Sequence, residues 1–168
     1  MIHVCSLARL HSTVEETKAT HIVTLLKDVN LVSRPQCITA DCHLIIGVDD
    51  ISTPLDGYIA PAVEHVADLV DFVQRWGREA PLVVHCYAGI SRSTAGAFIA
   101  ACALNPQRDE RAIAQYIRQA SPTATPNALL VSIADRMLER NGRMIAAVEA
   151  IGRGLAAEEG HPFRLDLE

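Results

Sequence analysis

The chain lacks a basic excess: among its 168 residues, 15 Lys and Arg stand against 20 Asp and Glu, for a formal charge of −5. That balance argues against a general binder of nucleic acid or anionic membrane, so any anion it recognises must be caught by local geometry. The opening MIHVCSLARL has neither the apolar core nor the cleavage site of a signal peptide. No uninterrupted apolar run approaches the length of a membrane span. Five cysteines, an odd number without regular spacing, do not describe a disulfide framework. These absences lead to the expectation of a cytoplasmic protein with reduced thiols. No internal repeat or linker divides the chain, and 49% hydrophobic with 21% charged residues suits one compact domain.

What is present alternates between strand and helix patterns. IHVCSLARL reads as a first strand, THIVTLL and CHLIIGV as further strands, and PLVVHC as a short apolar strand of the kind buried in a parallel sheet. Ser12 and Glu15 have capping-box spacing, which predicts a short helix starting there. KDVNLVSRPQ is polar and broken by proline, hence loop or edge. From about Pro61, the residues Val63, Val66, Ala67, Val70, Val73 and Trp76 recur at helical steps. STAGAFIAACAL predicts a helix ending at Asn105-Pro106. ERAIAQYIRQA, NALLVSIADRMLER and RMIAAVEAIGRG predict three more, punctuated by Ser121-Pro122, Pro126 and Asn141-Gly142. This order predicts an α/β fold with a central, mainly parallel sheet flanked by helices, its C-terminal half helical.

The stretch LVVHCYAGISRST, Leu82 to Thr94, carries the chemistry. Cys86 ends an apolar strand, at the carboxyl edge where such sheets gather ligands. Gly89 lets the N–H groups of Tyr87, Ala88, Gly89, Ile90 and Ser91 turn inward as an anion-binding nest. A helix beginning near Arg92 or Ser93 aims its positive dipole end at the same spot. Such surroundings favour the thiolate, the nucleophilic form of cysteine. Arg92 offers a planar fork that matches two oxygens of a phosphate. The spacing alone is weak evidence, because Cys102 and Arg108 in CALNPQR repeat it. That second pair lacks the histidine before the cysteine, the glycine three residues after it and the hydroxyl residue after the arginine, and its cysteine falls inside a predicted helix.

HCYAGISRS, His85 to Ser93, resembles the His-Cys-x-x-Gly-x-x-Arg-Ser/Thr signature of cysteine-dependent protein tyrosine phosphatases. The short chain and the SRS ending are similar to the dual-specificity branch and its small bacterial relatives. The resemblance covers about residues 2–140. It implies a single phosphatase-like domain over residues 1–155 and a phosphate-binding loop between a strand and a helix N-terminus; the sequence beyond it, 156–168, is expected to be a flexible tail. It implies Cys86 as the nucleophile that forms a phosphocysteine, with Arg92 and the amides of Tyr87 to Ser91 binding phosphate. Ser93 would donate a hydrogen bond to the departing sulfur, and His85 would fix the loop from behind. No metal and no other cofactor is implied.

The resembling family carries its general acid on a loop upstream of the cysteine. Here IIGVDDISTPLDG offers Asp49, Asp50 and Asp56, and the second residue of the pair in VDDI, Asp50, falls in the family's slot. The Trp-Pro-Asp triplet and the glutamine-rich motif of tyrosine-specific phosphatases are absent, which again points to the dual-specificity branch. SPTATPN resembles the segment whose Pro-Asn pair supports the phosphate loop; Asn127 either bridges to that loop or only caps the helix after Pro126.

The implied substrates are phosphotyrosine, phosphoserine or phosphothreonine in proteins, or a small aryl phosphate, and phosphate or sulfate would occupy the same cradle. A loop without lysine disfavours phosphoinositides, and the acidic chain disfavours RNA, so neither a nucleic acid nor a membrane is an expected partner. Two other readings stand beside this one. The first is a non-catalytic phosphate-binding module. The second is a metal site drawing Cys37, Cys42 and His43 toward Cys86, for which no repeated Cys-x2-Cys spacing speaks. A reactive thiolate also oxidises readily, and Cys5 or Cys102 is a candidate partner for a protecting disulfide.

Overall fold

The computed structural model describes residues 1–167, and its sheet is built from the apolar and β-branched runs of the sequence. Strands β1 (Ile2–Ser6), β2 (His21–Leu25), β3 (His43–Ile46), β4 (Leu82–Cys86) and β5 (Phe163–Leu165) lie in the order β3-β2-β4-β1-β5. The first four are parallel, and β5 runs antiparallel along β1. The register brings Ser6 opposite Cys86 and Thr24 opposite His85, so three strand ends meet beneath one loop.

Side-chain alternation divides the strands between two layers. Ile2, Val4, Val84 and Cys86 join the larger core, whose other side is supplied by α2 (Val63–Arg75), α3 (Arg92–Leu104), α4 (Glu110–Ala120), α5 (Ala128–Met137) and α6 (Arg143–Ile151). Cys5, Ile22 and Val83 face the opposite way and pack with Leu10 and Val14 of α1 (Leu10–Thr17). Helix α3 is buried along almost its whole length. Its small residues let it settle on the sheet, and a methyl group at Gly96 would stand 2.8 Å from Leu25 Cδ1 and 3.1 Å from Val84 Cγ1. Close packing of α3 fixes the direction in which its N-terminus points.

Two differences from the sequence expectation bear on the site. Strand β1 stops at Ser6, whose Oγ accepts from Arg9 N, so the chain turns at once and α1 begins at Leu10 instead of Ser12. Ser12 Oγ donates back to Arg9 O within that turn. Burial of Leu10 and Val14 against the sheet sets the start of this helix, overriding the local capping pattern. The second difference is the C-terminal segment. Residues 156–168, expected as a flexible tail, include β5, in which Phe163 and Leu165 are buried and Arg164 faces out. Pairing with β1 covers what would otherwise be an open sheet edge. Among the described residues no helix is long and apolar enough to cross a membrane.

Candidate active site

Strand β4 delivers Cys86 to the carboxyl edge of the sheet with every residue from Leu82 to Cys86 buried. The chain must then turn sharply into α3, and Gly89 makes the turn with φ at +74°. A side chain there would be strained, and its Cβ would stand 2.8 Å from Ser6 N and 2.9 Å from the Cys5 carbonyl carbon. Only glycine satisfies both the torsion and the close approach to the end of β1.

The loop carbonyls are turned outward and fastened. Tyr87 O accepts from Leu7 N at 3.1 Å, Ala88 O from Gly160 N at 2.9 Å, Ile90 O from Thr125 N at 2.9 Å, and Ser91 O from Asn127 N at 3.3 Å. In a trans peptide the following N–H points the opposite way. The amides of Ala88, Gly89, Ser91 and Arg92 are thereby aimed into the ring of the loop, beside the first turn of α3. The Arg92 side chain is 9% exposed; its Nη1 donates to Val48 O at 2.8 Å, and its buried Nε has no partner among the described residues. A buried guanidinium donor without an acceptor is costly unless an anion arrives to take it. Cys86 Sγ and Ser93 Oγ are hydrogen-bonded at 3.2 Å.

The segment that carries Asp49 and Asp50 follows β3. Asp50 Oδ1 accepts from Ser91 Oγ at 2.7 Å and from Asn127 Nδ2 at 2.9 Å, so this carboxyl is held against the phosphate loop. Asp49 turns the other way: it accepts from Ile59 N at 2.7 Å and pairs with Lys27 at 3.0 Å. Loss of water pushes the Asp49 carboxyl up, but the Ile59 N–H and the Lys27 ammonium outweigh this and hold it below the usual carboxylate range. Asp56 is exposed. The Asn127 side chain caps the helix and reaches the segment after β3, while only its backbone N touches the loop after Cys86, through Ser91 O. Its Oδ1 caps α5 through Leu129 N and Leu130 N, while Nδ2 reaches Asp50 and Ile51 O.

Behind the loop lies a network that the sequence did not reveal. His85 Nε2 is 2.6 Å from Thr24 Oγ1, which is 2.8 Å from His43 Nε2. The single hydroxyl proton allows Thr24 to donate to one imidazole and accept from the other. Burial pushes both histidines down to about 4. They are therefore neutral in the fold, whereas the unfolded chain takes up their protons near pH 6.5. Stability contributed above pH 6.5 is lost as pH falls toward 4. Denaturant melts should show a loss of about 2 kcal/mol between pH 7 and pH 5 for one such histidine. Equal stability at the two pH values would contradict the burial of neutral imidazoles.

Other candidate groups do not converge on Cys86. Cys37 is exposed and His43 is committed to Thr24, and among the described residues no cluster of three or more His, Cys, Asp or Glu is placed to hold a metal ion. Neither candidate disulfide partner is aimed at Cys86, although Cys5 lies on the adjacent strand one position out of register with it. Cys5 faces α1 on the other side of the sheet, and Cys102 lies ten residues beyond Arg92 on α3, roughly 15 Å at the helical rise. Burial pushes both thiols up to about 12.

Comparison with known proteins gives the same fold and a family. DUSP15 superposes with a TM-score of 0.64 at 19% identity, covering 89% of each chain. The human tyrosine phosphatase-like serine/threonine/tyrosine-interacting protein gives 0.65 at 15% identity, over 83% of this chain and 92% of that one. The PTP-2 phosphatase of Cydia pomonella gives 0.62 at 18% identity, over 80% and 84%. None of the curated proteins matches the sequence. The model of a family described as polymorphic toxin system, DSP-PTPase phosphatase, matches residues 8–106, which are 99 of the 168 and contain the whole loop from Cys86 to Ser93. The chain belongs to this DSP-PTPase phosphatase family of polymorphic toxin systems.

Proposed function

We propose that this protein hydrolyses phosphomonoesters through a phosphocysteine on Cys86, acting on phosphotyrosine in proteins and also on phosphoserine and phosphothreonine. One observation carries the reading: the loop that follows Cys86 has its carbonyls fastened outward, and the buried Nε of Arg92 at its end has no partner among the described residues. In the first step the Cys86 thiolate attacks phosphorus and the phosphorus–oxygen bond to the leaving group breaks. Arg92 and the loop amides take the charge on the equatorial oxygens. Asp50 gives its proton to the departing oxygen. In the second step water attacks the phosphocysteine, the Asp50 carboxylate takes the water's proton, and the thiolate leaves with the Ser93 hydroxyl donating to it. Free phosphate is the product and competes for the same cradle. No step uses a metal ion.

The Asp49–Asp50 pair offers a direct test. Asp50→Asn keeps an oxygen to accept from Ser91 and Asn127, so the geometry survives while the proton is lost. Hydrolysis of p-nitrophenyl phosphate in EDTA should persist in wild type and lose its basic limb between pH 5 and 8 in Asp50→Asn. With an alkyl phosphate, a poorer leaving group, the same variant should lose about 10²-fold or more in kcat. Asp49→Asn should keep the wild-type pH profile. The reverse result for the two aspartates would transfer the acid role to Asp49, and activity abolished by EDTA would contradict the metal-free mechanism.

A further inference from the structure

We infer that the C-terminal segment 152–162, outside the family match, is a strap that locks the phosphate loop, with Gly160 as its positioning residue; this rests on the phosphatase reading above. The strap leaves α6 at Gly152, where Arg118 Nη2 donates to Gly152 O at 2.8 Å and Nη1 to Pro122 O at 2.7 Å. Leu155 N donates to Pro122 O and Gly154 N to Thr125 Oγ1. The fit at Gly154 leaves no room for a side chain, because a Cβ would collide with Thr123 O. Thr125 N in turn holds Ile90 O, so this part of the strap braces one side of the loop.

The other side is touched directly. Ser6 Oγ donates to Glu159 Oε1 at 2.5 Å, Gly160 N donates to Ala88 O at 2.9 Å, and a Cβ on Gly160 would stand 2.8 Å from Gly89 O. Strand β5 then anchors the segment along β1.

The Ala88–Gly89 peptide is where a lock is needed. Glycine accepts φ of either sign at little cost, so this peptide plane can rotate more freely than any other in the loop. Rotation would swing the Ala88 carbonyl toward the phosphate and remove the Gly89 N–H from it. The Gly160 N–H is the group that holds this carbonyl outward. The strap therefore sets loop electrostatics without touching substrate.

The test compares wild type, Gly160→Ala and Glu159→Ala in the full chain, with Glu16→Ala on α1 as an exposed control outside the strap. Gly160→Ala pushes a methyl group onto the loop, and Glu159→Ala releases the tether to Ser6 without adding bulk, which keeps the test alive should the first variant fold poorly. Turnover of p-nitrophenyl phosphate, vanadate inhibition, tungstate binding by calorimetry and thermal melting are read together. Gly160→Ala should lose about ten- to a hundredfold in kcat with KM changed little, and its vanadate inhibition constant should rise by a similar factor. Glu159→Ala should shift the same two quantities in the same direction by a smaller factor, and Glu16→Ala should match wild type. Variants that melt earlier yet keep wild-type kcat and vanadate affinity would reduce the strap to a stabilising segment and overturn the inference. Wild type that neither turns over substrate nor binds tungstate would defeat the phosphatase reading itself, and the strap inference with it. Wild type that binds tungstate without turnover would defeat catalysis alone, and tungstate affinity of the variants would then decide the strap.

Discussion

Cys86→Ser is expected to lower kcat on p-nitrophenyl phosphate by about 10⁴-fold or more while the protein still folds and still binds tungstate. The substitution is nearly isosteric at a buried position, so the packing of β4 under α3 is kept. The anion-binding parts also remain, because the loop carbonyls are fastened by Leu7, Gly160, Thr125 and Asn127, none of which touches the sulfur. Only the nucleophile changes. A serine hydroxyl at this position has Ser93 beside it and no base placed to take its proton, so an alkoxide is not generated near neutral pH. Turnover within about tenfold of wild type would remove Cys86 from the mechanism. Loss of tungstate binding together with turnover would instead mean that the sulfur was needed to hold the loop together.

The second large effect is expected at Arg92. Arg92→Lys should lower kcat/KM by about 10²- to 10³-fold, although the charge is preserved. In Arg92, Nη1 is committed to Val48 O, while the buried Nε is left without a partner among the described residues. The guanidinium plane lets one end anchor while the other meets two oxygens of a phosphate. A lysine ammonium is a point charge and cannot span both. If it turns to the phosphate, the Val48 carbonyl loses its donor, and that carbonyl immediately precedes Asp49 and Asp50. The Asp49–Asp50 segment should therefore loosen together with phosphate binding, and the variant's losses on p-nitrophenyl phosphate and on an alkyl phosphate should differ. A lysine variant within about fivefold of wild type on both substrates would contradict the bidentate role.

The parts of the molecule that were legible in the sequence share one property: their signal is local. The apolar run before Cys86, the glycine three residues on and the arginine at the helix start lie within a dozen residues, and the loop forms where they are. Helix α4 was legible end to end because its amphipathic period is bounded by Asp109 and by Ser121-Pro122. The parts that were not legible depend on residues far apart in the chain. Ser12 and Glu15 make a good capping box in isolation, but Ser6 and the burial of Leu10 had already determined where α1 begins. FRLDL carries the period-2 alternation of a strand, yet three residues are too few to distinguish it from a frayed end until β1 is seen beside it. Thr24 looks like an ordinary β-branched strand residue, and only the β2–β4 register brings it to His85. The choice between Asp49 and Asp50 likewise turns on Lys27, Ile59, Ser91 and Asn127, which come from four separate segments.

The central claim is that phosphoryl transfer passes through the sulfur of Cys86. The measurement that tests it most directly is rapid acid quench of the wild-type protein during turnover of an aryl phosphate, followed by peptide mass spectrometry. Cleavage after Arg78 and Arg92 isolates Glu79 to Arg92, which contains a single cysteine. The account predicts that this peptide carries one phosphoryl group, on Cys86, in the turnover sample and none in the Cys86→Ser sample. Steady turnover with no phosphoryl group on the peptide, or with the group on another residue, would contradict it.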